Sequence, residues 1–325
     1  MLRIANGFIV ENPTSLKEAF GLLQTYGDGA KLVAGGTDIL PNIKHGLHAP
    51  EVLINLKSVT GLRECKVNEG AYRLGALMTI HQLATEPQLA STLPALVDAA
   101  SAIAGPQLRR MGTLGGNICL DTRCVYINQT HFWRQALGYC LKKDGSACHV
   151  VASGKRCVAA ASNDTAPVLI ALGASLEIAS PRGIRTLLLE DFYLNDGVYN
   201  KALAADEIVT AVTVPIGARH RAQAYEKLRV RGAIDFPMLN LALAFDEKSG
   251  RAENLDLIVS AIASRPKRIK RLPDGLIDHA YIERIAGLVF KQVRPLTNIN
   301  GDIAWRREMA PVLLRRAFKK ALSGV

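Results

Sequence analysis

Long hydrophobic runs are absent from this chain. The best candidate for a membrane span, residues 257–263, is far shorter than the roughly 20 apolar residues that cross a bilayer. The N-terminal segment MLRIANGFIVENP has one Arg and a short apolar run, so it does not resemble a secretory signal. We therefore expect a cytoplasmic protein with no membrane partner, in which cysteines stay reduced rather than form disulfides.

Several familiar fingerprints are also missing. The chain has no GxGxxG segment, so a standard nicotinamide-binding Rossmann site is not supported. It has neither the CxxC knuckle of a zinc ribbon nor the CxxxxCxxC spacing of a plant-type [2Fe-2S] cluster. Its 49% hydrophobic and 21% charged residues are normal for a globular protein, and its 325 residues favour two or three packed units.

Positive charge is concentrated at one end of the chain. Residues 265–325 contain 14 Lys or Arg against five Asp or Glu, so they account for nine of the 11 net positive charges. Basic pairs such as Arg306 with Arg307 recur among apolar residues such as Leu313 and Phe318, which predicts an amphipathic helix with a basic face. That face is either solvated or docks onto an acidic partner protein. No nucleic-acid partner is expected, because no aromatic-rich stacking platform accompanies the charge.

Apolar periodicity predicts a mixture of helices and strands. Residues 15–26 have helical spacing behind the capping signal TSLKE, and short β-rich runs at 31–34 and 51–56 complete a βαβ-type unit. The remaining expected elements are a strand at 70–76, a helix at 94–104, short mixed elements up to Pro215, strands at 222–230, 237–245 and 255–263, and C-terminal helices.

Two glycine-rich segments carry the first sign of chemistry. They read VAGGTD at residues 33–38 and TLGGN at residues 113–117. Adjacent glycines let backbone N–H groups converge with no Cβ in the way, and the neighbouring Thr and Asn side chains add donors suited to a pyrophosphate. A single GG pair is usually a turn. Two of them, one leading directly into a group of cysteines, favour a dinucleotide beside a metal centre.

Five of the six cysteines fall within residues 119–157, separated by 5, 16, 8 and 9 positions. This spacing is feasible for a loop around an iron-sulfur cluster, because soft metals are held by thiolates. The alternative is that these are ordinary buried thiols, since cysteine often acts as a small hydrophobe. Spacing alone does not choose between Cys119 and Cys124 as a ligand.

Four segments together resemble a known family. They are AGGTDILPNIKHG (34–46), GPQLRRMGTLGGNIC (105–119), SNDTAPVLIALGA (162–174) and YEKLRVRGAIDFP (225–237). In this order, and over nearly the whole chain, they look like the FAD-binding medium subunit of the xanthine oxidase and carbon monoxide dehydrogenase family.

This resemblance implies an α+β fold in two domains. An FAD-binding domain would occupy 1–216, with subdomains of about 1–56 and 57–216, and a smaller C-terminal domain of antiparallel sheet and helices would occupy 217–325. The residues that would contact or adjoin FAD are Val33, Ala34, Gly35, Gly36, Thr37, Asp38, Ile39, Thr113, Gly116, Asn117, Asp164 and Lys227.

The stretch 120–158 is an insertion that most such subunits lack. It resembles the corresponding loop in β subunits of 4-hydroxybenzoyl-CoA reductases, which carries an additional [4Fe-4S] cluster. The resemblance implies four ligands and leaves Cys119 beside the flavin loop and Cys65 isolated. The four implied ligands are Cys124, Cys140, Cys148 and Cys157.

The same resemblance implies an electron-transfer subunit. Electrons from ferredoxin would enter the [4Fe-4S] cluster, pass to FAD and continue through a small [2Fe-2S] subunit to a large molybdenum-cofactor subunit, within a dimer of heterotrimers. There 4-hydroxybenzoyl-CoA would be reduced to benzoyl-CoA. One alternative is the FAD subunit of another molybdenum hydroxylase or dehydrogenase acting on an aromatic or N-heterocyclic substrate. The second is a zinc-containing nucleic-acid-binding protein.

Overall fold

The computed structural model describes residues 7–68 and 70–323. Residues 1–6, which begin both the first predicted subdomain and the segment considered as a secretory signal, lie outside this range, as do residues 324 and 325. Within the described ranges the chain forms three β-sheets, each with its own packed helices. No helix in the described ranges combines the length and apolar character that crossing a membrane requires.

The N-terminal unit is a parallel three-stranded sheet in the order β1-β3-β2. Its elements are β1 (Ile9–Glu11), α1 (Leu16–Tyr26), β2 (Ala30–Val33), α2 (Ile39–Lys44) and β3 (Val52–Asn55). The predicted capping signal is present, because the Ser15 hydroxyl accepts a hydrogen bond from Glu18 N at 3.2 Å. The first glycine segment, residues 33–38, connects the carboxyl end of β2 to α2. Loops at this end of parallel strands commonly carry binding sites.

The middle unit surrounds an antiparallel five-stranded sheet in the order β4-β5-β8-β6-β7. Its strands are β4 (Cys65–Val67), β5 (Ala71–Gly75), β6 (Ser175–Ser180), β7 (Gly183–Leu188) and β8 (Ile208–Pro215). Its helices are α3 (Ile80–Thr85), α4 (Pro87–Thr92), α5 (Pro94–Ser101), α6 (Pro106–Met111), α7 (Leu114–Ile118), α8 (His131–Ala136), α9 (Thr165–Ala171) and α10 (Leu189–Phe192). The cysteine-rich segment joins α7 to α9, and α8 lies within it.

The C-terminal unit is an antiparallel sheet covered by two helices. Its elements are β9 (Ala222–Leu228), β10 (Leu239–Lys248), β11 (Arg251–Ser260), β12 (Lys267–Arg268), β13 (Gly275–Leu276), α11 (His279–Gln292) and α12 (Ile303–Ser323). Alternate residues of β10 point to opposite faces. Ala242 and Ala244 join the core of the middle unit, whereas Leu241 and Leu243 join the core beneath α11 and α12. The sheet thus fixes the C-terminal unit against α5 and α9.

The α+β class predicted from the sequence is confirmed, but one prediction about the basic helix is wrong. Leu313 and Phe318 are buried as expected, and Lys319 is exposed. Arg306, predicted as part of the basic face, is instead fully buried and donates to the carbonyl oxygens of Met238, Leu296 and Ala261 at 2.8 to 3.0 Å. Burial lowers the pKa of Arg306 to about 10. Its guanidinium ties α12 to two loops and a strand end.

Candidate functional site

A cavity of about 770 Å³ opens where the three units meet. Its volume falls within the range of cofactor pockets, roughly 300 to 1,000 Å³. Both glycine segments line it, the first between β2 and α2 and the second at the start of α7. The first segment packs against the end of α6, just before the second segment begins, because a Cβ on Gly35 would lie 2.0 Å from the carbonyl oxygen of Met111. Only glycine allows this approach.

At each of the other glycines in the two segments, a different feature of the structure disfavours a side chain. Gly36 has a φ of +74°, a backbone conformation that side chains other than glycine rarely adopt. A Cβ on Gly115 would lie 2.8 Å from the Cβ of Ala76, against the sheet. A Cβ on Gly116 would meet just the Thr113 hydroxyl, at 3.0 Å, on the cavity side. Gly116 is therefore the glycine whose missing side chain leaves room in the cavity itself.

Eleven of the twelve residues predicted for the flavin site line this single cavity. They are Val33, Ala34, Gly35, Gly36, Thr37, Asp38, Ile39, Thr113, Gly116, Asn117 and Asp164. The twelfth, Lys227, lies behind Asp164 and does not form part of the wall. Asn117 also orients its neighbours, because its side-chain oxygen accepts from the Thr165 hydroxyl at 2.7 Å.

Asp164 sits in a buried network at the cavity wall. Its carboxylate accepts from the Tyr225 hydroxyl at 2.5 Å and from Lys227 Nζ at 3.0 Å, and Lys227 Nζ also donates to the Ala102 carbonyl. Burial raises the pKa of Asp164, an effect that the nearby Lys227 ammonium opposes. Burial likewise lowers the pKa of Lys227, and the Asp164 charge opposes that shift. Each charged group thus depends on the other for its ionised form.

Replacing Lys227 with Met is expected to destabilise the fold by about 3 kcal/mol near neutral pH, because the Asp164 carboxylate would be left buried without its countercharge. Since burial raises the pKa of Asp164, lowering the pH should protonate it and reduce the loss. Urea unfolding at several pH values measures both effects. The double variant Asp164→Asn/Lys227→Met is the matched control and should recover most of the stability. A loss below about 1 kcal/mol for Lys227→Met would contradict the role of the pair.

Arg123 is a cavity residue that the sequence did not indicate. Its guanidinium pairs with Asp38 of the first glycine segment and lies 4.7 Å from the centroid of the Phe236 ring. Its Nε is buried and has no hydrogen-bond partner among the described residues, and burial lowers the pKa of Arg123 to about 10. A buried donor at a cavity wall suits an anionic ligand group. No spacing rule identifies it, because it is one of six Lys or Arg in an irregular segment.

The cysteine-rich segment gathers four thiols around a second, smaller pocket. They are Cys124, Cys140, Cys148 and Cys157. Burial raises the pKa of Cys124 to about 11 and also raises the pKa of Cys157. Cys119 instead lines the large cavity, and Cys65 is exposed on β4. All six cysteines lie in the described ranges and are free thiols there.

Tight backbone packing shapes this cysteine pocket. A Cβ on Gly145 would lie 2.7 Å from the amide nitrogen of Cys140, and one on Gly197 would lie 2.6 Å from Cys157 Sγ. The pocket measures about 20 Å³. Within the described residues, no group of three or more His, Cys, Asp or Glu side chains is placed to hold a single metal ion. The arrangement therefore does not match a mononuclear zinc site, in which a Zn–S distance near 2.3 Å holds sulfurs roughly 3.8 Å apart.

The two pockets share part of one wall. Ile127 and Lys142 line both the large cavity and the cysteine pocket. Lys142 Nζ donates to Asp121 Oδ1, the Thr122 hydroxyl and the Gly197 carbonyl at 2.6 to 2.9 Å. The segment is also held through α8, because the buried Arg134 donates to the His45 carbonyl at 2.8 Å, just after α2. These contacts join the cysteine-rich segment to the loop at Gly197 and to the end of α2.

Comparison with known proteins defines the class. The family model "FAD binding domain in molybdopterin dehydrogenase" matches residues 6–217, and the model "CO dehydrogenase flavoprotein C-terminal domain" matches residues 223–321. The chain therefore belongs to the FAD-binding medium subunits of the xanthine oxidase and carbon monoxide dehydrogenase family. It is a flavoprotein subunit of an oxidoreductase in the molybdenum hydroxylase family.

Individual relatives resemble the chain over almost its whole length. It is 27% identical over 322 residues to the carbon monoxide dehydrogenase medium chain of Afipia carboxidovorans, covering 98% of both chains. It is 27% identical over 314 residues to the nicotine 6-hydroxylase medium subunit of Paenarthrobacter nicotinovorans, covering 95% of both. A solved structure of Cu,Mo-CO dehydrogenase superposes with a TM-score of 0.81 at 25% identity, over 99% of this chain and 100% of that one.

Proposed function

We propose that this chain carries FAD and a [4Fe-4S] cluster and transfers electrons in a molybdenum-dependent 4-hydroxybenzoyl-CoA reductase. The observation that carries the proposal is the cysteine pocket, in which four thiols from an otherwise irregular segment meet directly beside the large cavity. Four thiolates are the usual ligand set of such a cluster. The resemblance of this segment to the reductase loop supports the choice of enzyme.

The residues around the large cavity fit FAD. Gly35 and Gly36 let the first segment approach a ligand closely, Gly116 leaves space at the wall, and the buried Nε of Arg123 offers a donor to an anionic group. We assign the eleven lining residues to FAD binding. Lys227 would act through Asp164, whose buried carboxylate it holds in the charged form.

FAD, when bound, accepts and releases electrons either singly or in pairs, which the protein chain itself cannot do. The chain would supply three other functions. The glycine segments would bind the pyrophosphate, the network of Asp164 and Tyr225 would orient polar groups at the wall, and apolar side chains such as Ile80, Ile103 and Leu108 would exclude water.

The four cysteines would hold the cluster, and their chemistry fits it. Their thiols face one pocket and are not consumed by disulfides. Burial raises the pKa of Cys124 to about 11, so binding of iron would have to displace its proton. The pocket, at about 20 Å³, would have to widen to admit a cubane.

The partners follow from the same proposal. Relatives are named as medium chains or FAD-binding subunits, which supports a larger and a smaller subunit as neighbours. We propose that the large subunit carries the molybdenum cofactor, that the small subunit carries [2Fe-2S] clusters, and that the complex is a dimer of heterotrimers. Ferredoxin is the proposed electron donor. We also propose two domains, 1–216 and 217–325. The first would contain subdomains of about 1–56 and 57–216, with the insertion at about 120–158. The first family model ends at residue 217 and the second begins at residue 223, which supports the boundary between the two domains.

A second candidate keeps the flavin and reverses the electron flow. This candidate rests on relatives named nicotine 6-hydroxylase and nicotinate dehydrogenase, and it would oxidise an N-heterocycle and pass electrons outward from FAD. The zinc-containing nucleic-acid-binding alternative is not favoured, because family membership accounts for both glycine segments and the cysteine pocket does not match a mononuclear zinc site.

The test is anaerobic turnover by the complete complex. With a reduced low-potential viologen or ferredoxin, 4-hydroxybenzoyl-CoA should take up two electrons and two protons and yield benzoyl-CoA and water, measured by chromatography. Oxidation of an N-heterocycle, together with no turnover from any low-potential donor, would contradict the reductase and favour the second candidate.

A further inference from the structure

An exposed apolar patch covers one side of the cysteine-rich segment. It consists of Phe132, Trp133 and Leu137 and is called the α8 patch. Their side chains are 80%, 37% and 40% exposed, so three large apolar groups lie together on and just after one short helix. Contiguous apolar surface of this kind marks sites of protein association.

Aromatic contacts connect the α8 patch to the cysteine pocket. The rings of Trp133 and Tyr126 have centroids 6.4 Å apart, and those of Tyr126 and His149 are 5.1 Å apart. Tyr126 and His149 both line the pocket that the four cysteines surround. A protein bound at the α8 patch would therefore lie two side chains from the thiols.

The charge of the segment that carries the patch indicates what kind of protein would bind. Residues 120–158 contain six Lys or Arg against two Asp or Glu, but Arg123, Arg134 and Lys142 are largely buried and Lys143 pairs with Asp144. The charge that this segment presents to solvent therefore comes mainly from the exposed Lys155 and Arg156, which directly precede the pocket cysteine Cys157. An apolar centre with basic residues in the same segment complements an acidic protein that has its own small apolar contact area.

We propose that the α8 patch is the docking surface for a small acidic protein that carries single electrons. This proposal rests on the function proposed above, because it takes the cysteine pocket as the entry point for electrons. At each encounter the reduced carrier would give up one electron, and the four pocket cysteines would hold the cluster that accepts it. No bond forms or breaks and no proton moves. Exposed aromatic residues at the centre of such a contact contribute most of its affinity.

The experiment compares two reductants in the complete complex. Phe132→Ser/Leu137→Ser removes exposed side chains, and Ile184→Ser, 69% exposed on β7, is the matched control outside the patch. Stopped-flow absorbance would follow flavin reduction by a reduced bacterial ferredoxin and by methyl viologen radical. With ferredoxin the second-order rate constant should fall about tenfold in the patch variant and not in the control. With viologen both variants should match the unaltered complex.

The dependence of the flavin reduction rate on ionic strength is an independent test of docking. The rate with ferredoxin should fall as ionic strength rises, because exposed charges steer the encounter, while the viologen rate should not follow the same decline. An unchanged ferredoxin rate in the patch variant would overturn the proposal. So would an equal loss with both reductants, or dissociation of the complex during size-exclusion chromatography, which would identify the patch as a subunit contact. An iron content of the unaltered complex no higher than the [2Fe-2S] subunit alone supplies would instead reject the proposed function.

Discussion

Replacing Cys140 with Ser is expected to lower the iron content from about four atoms per chain to nearly none. Cys140 is buried at the cysteine pocket, and a serine hydroxyl is a poor ligand for iron that four thiolates otherwise hold. FAD content should remain, because Cys140 does not line the large cavity. Colorimetric iron and acid-labile sulfide, measured on anaerobically purified protein beside released flavin, give the result.

Two other cysteines provide the matched controls. Cys65→Ser, on exposed β4, and Cys119→Ser, at the wall of the large cavity, should both keep a full cluster. Loss of iron in Cys119→Ser with retention in Cys124→Ser would show that the wrong ligand had been assigned. Stoichiometric zinc in place of iron would reject the cluster itself.

The choice between Cys119 and Cys124 shows what the sequence could not supply. Their spacing to the next cysteine is compatible with either, and the family resemblance favoured Cys124. In the structure, Cys119 lies at the end of α7 and lines the large cavity. Cys124 lies directly after a β-bridge between Arg123 and Ala160 and lines the cysteine pocket. Which pocket each thiol faces depends on this tertiary contact, and one-dimensional spacing does not contain it.

Elements with strong local signals were predicted well. The capped helix α1 and the alternating strands β9 to β11 differ from the predicted ranges by a few residues at most. Arg306 was misplaced because periodicity assigns every charged residue to the solvent face. Its three carbonyl acceptors come from loops and strand ends 10 to 68 residues away, so no local pattern signals its burial.

The residues of the flavin site likewise fall into those that the sequence indicates and those that it does not. The glycine segments could be found from the sequence because the chain has two GG pairs, each beside polar donors, and one of them leads into the group of cysteines. Arg123 and Lys142 were not, because their contacts with Asp38 and Gly197 join parts of the chain 85 and 55 residues apart. The cysteine-rich segment thus contributes to the wall of the large cavity as well as to the cysteine pocket.

Replacing Gly116 with Val is expected to empty the FAD site while leaving the fold intact. A Cβ at this position would meet just the Thr113 hydroxyl, at 3.0 Å, so the added side chain would project into the cavity rather than into the protein. Overfilling a packed site costs about 1 to 3 kcal/mol, which corresponds to a roughly fivefold to 160-fold weaker affinity. Released flavin and the far-UV circular dichroism spectrum, measured on the same sample, separate the two properties.

Valine substitutions at two other glycines are the controls for Gly116→Val. Gly287→Val introduces the same side chain at an exposed position of α11 with no atom within 4 Å of the new Cβ, so FAD content and fold should both be unchanged. Gly115→Val would force a Cβ to 2.8 Å from that of Ala76 and should reduce folded protein as well as flavin. If Gly116→Val keeps full FAD occupancy and a normal spectrum, the second glycine segment is a turn that does not contact the cofactor, and the FAD site must be sought elsewhere along the cavity.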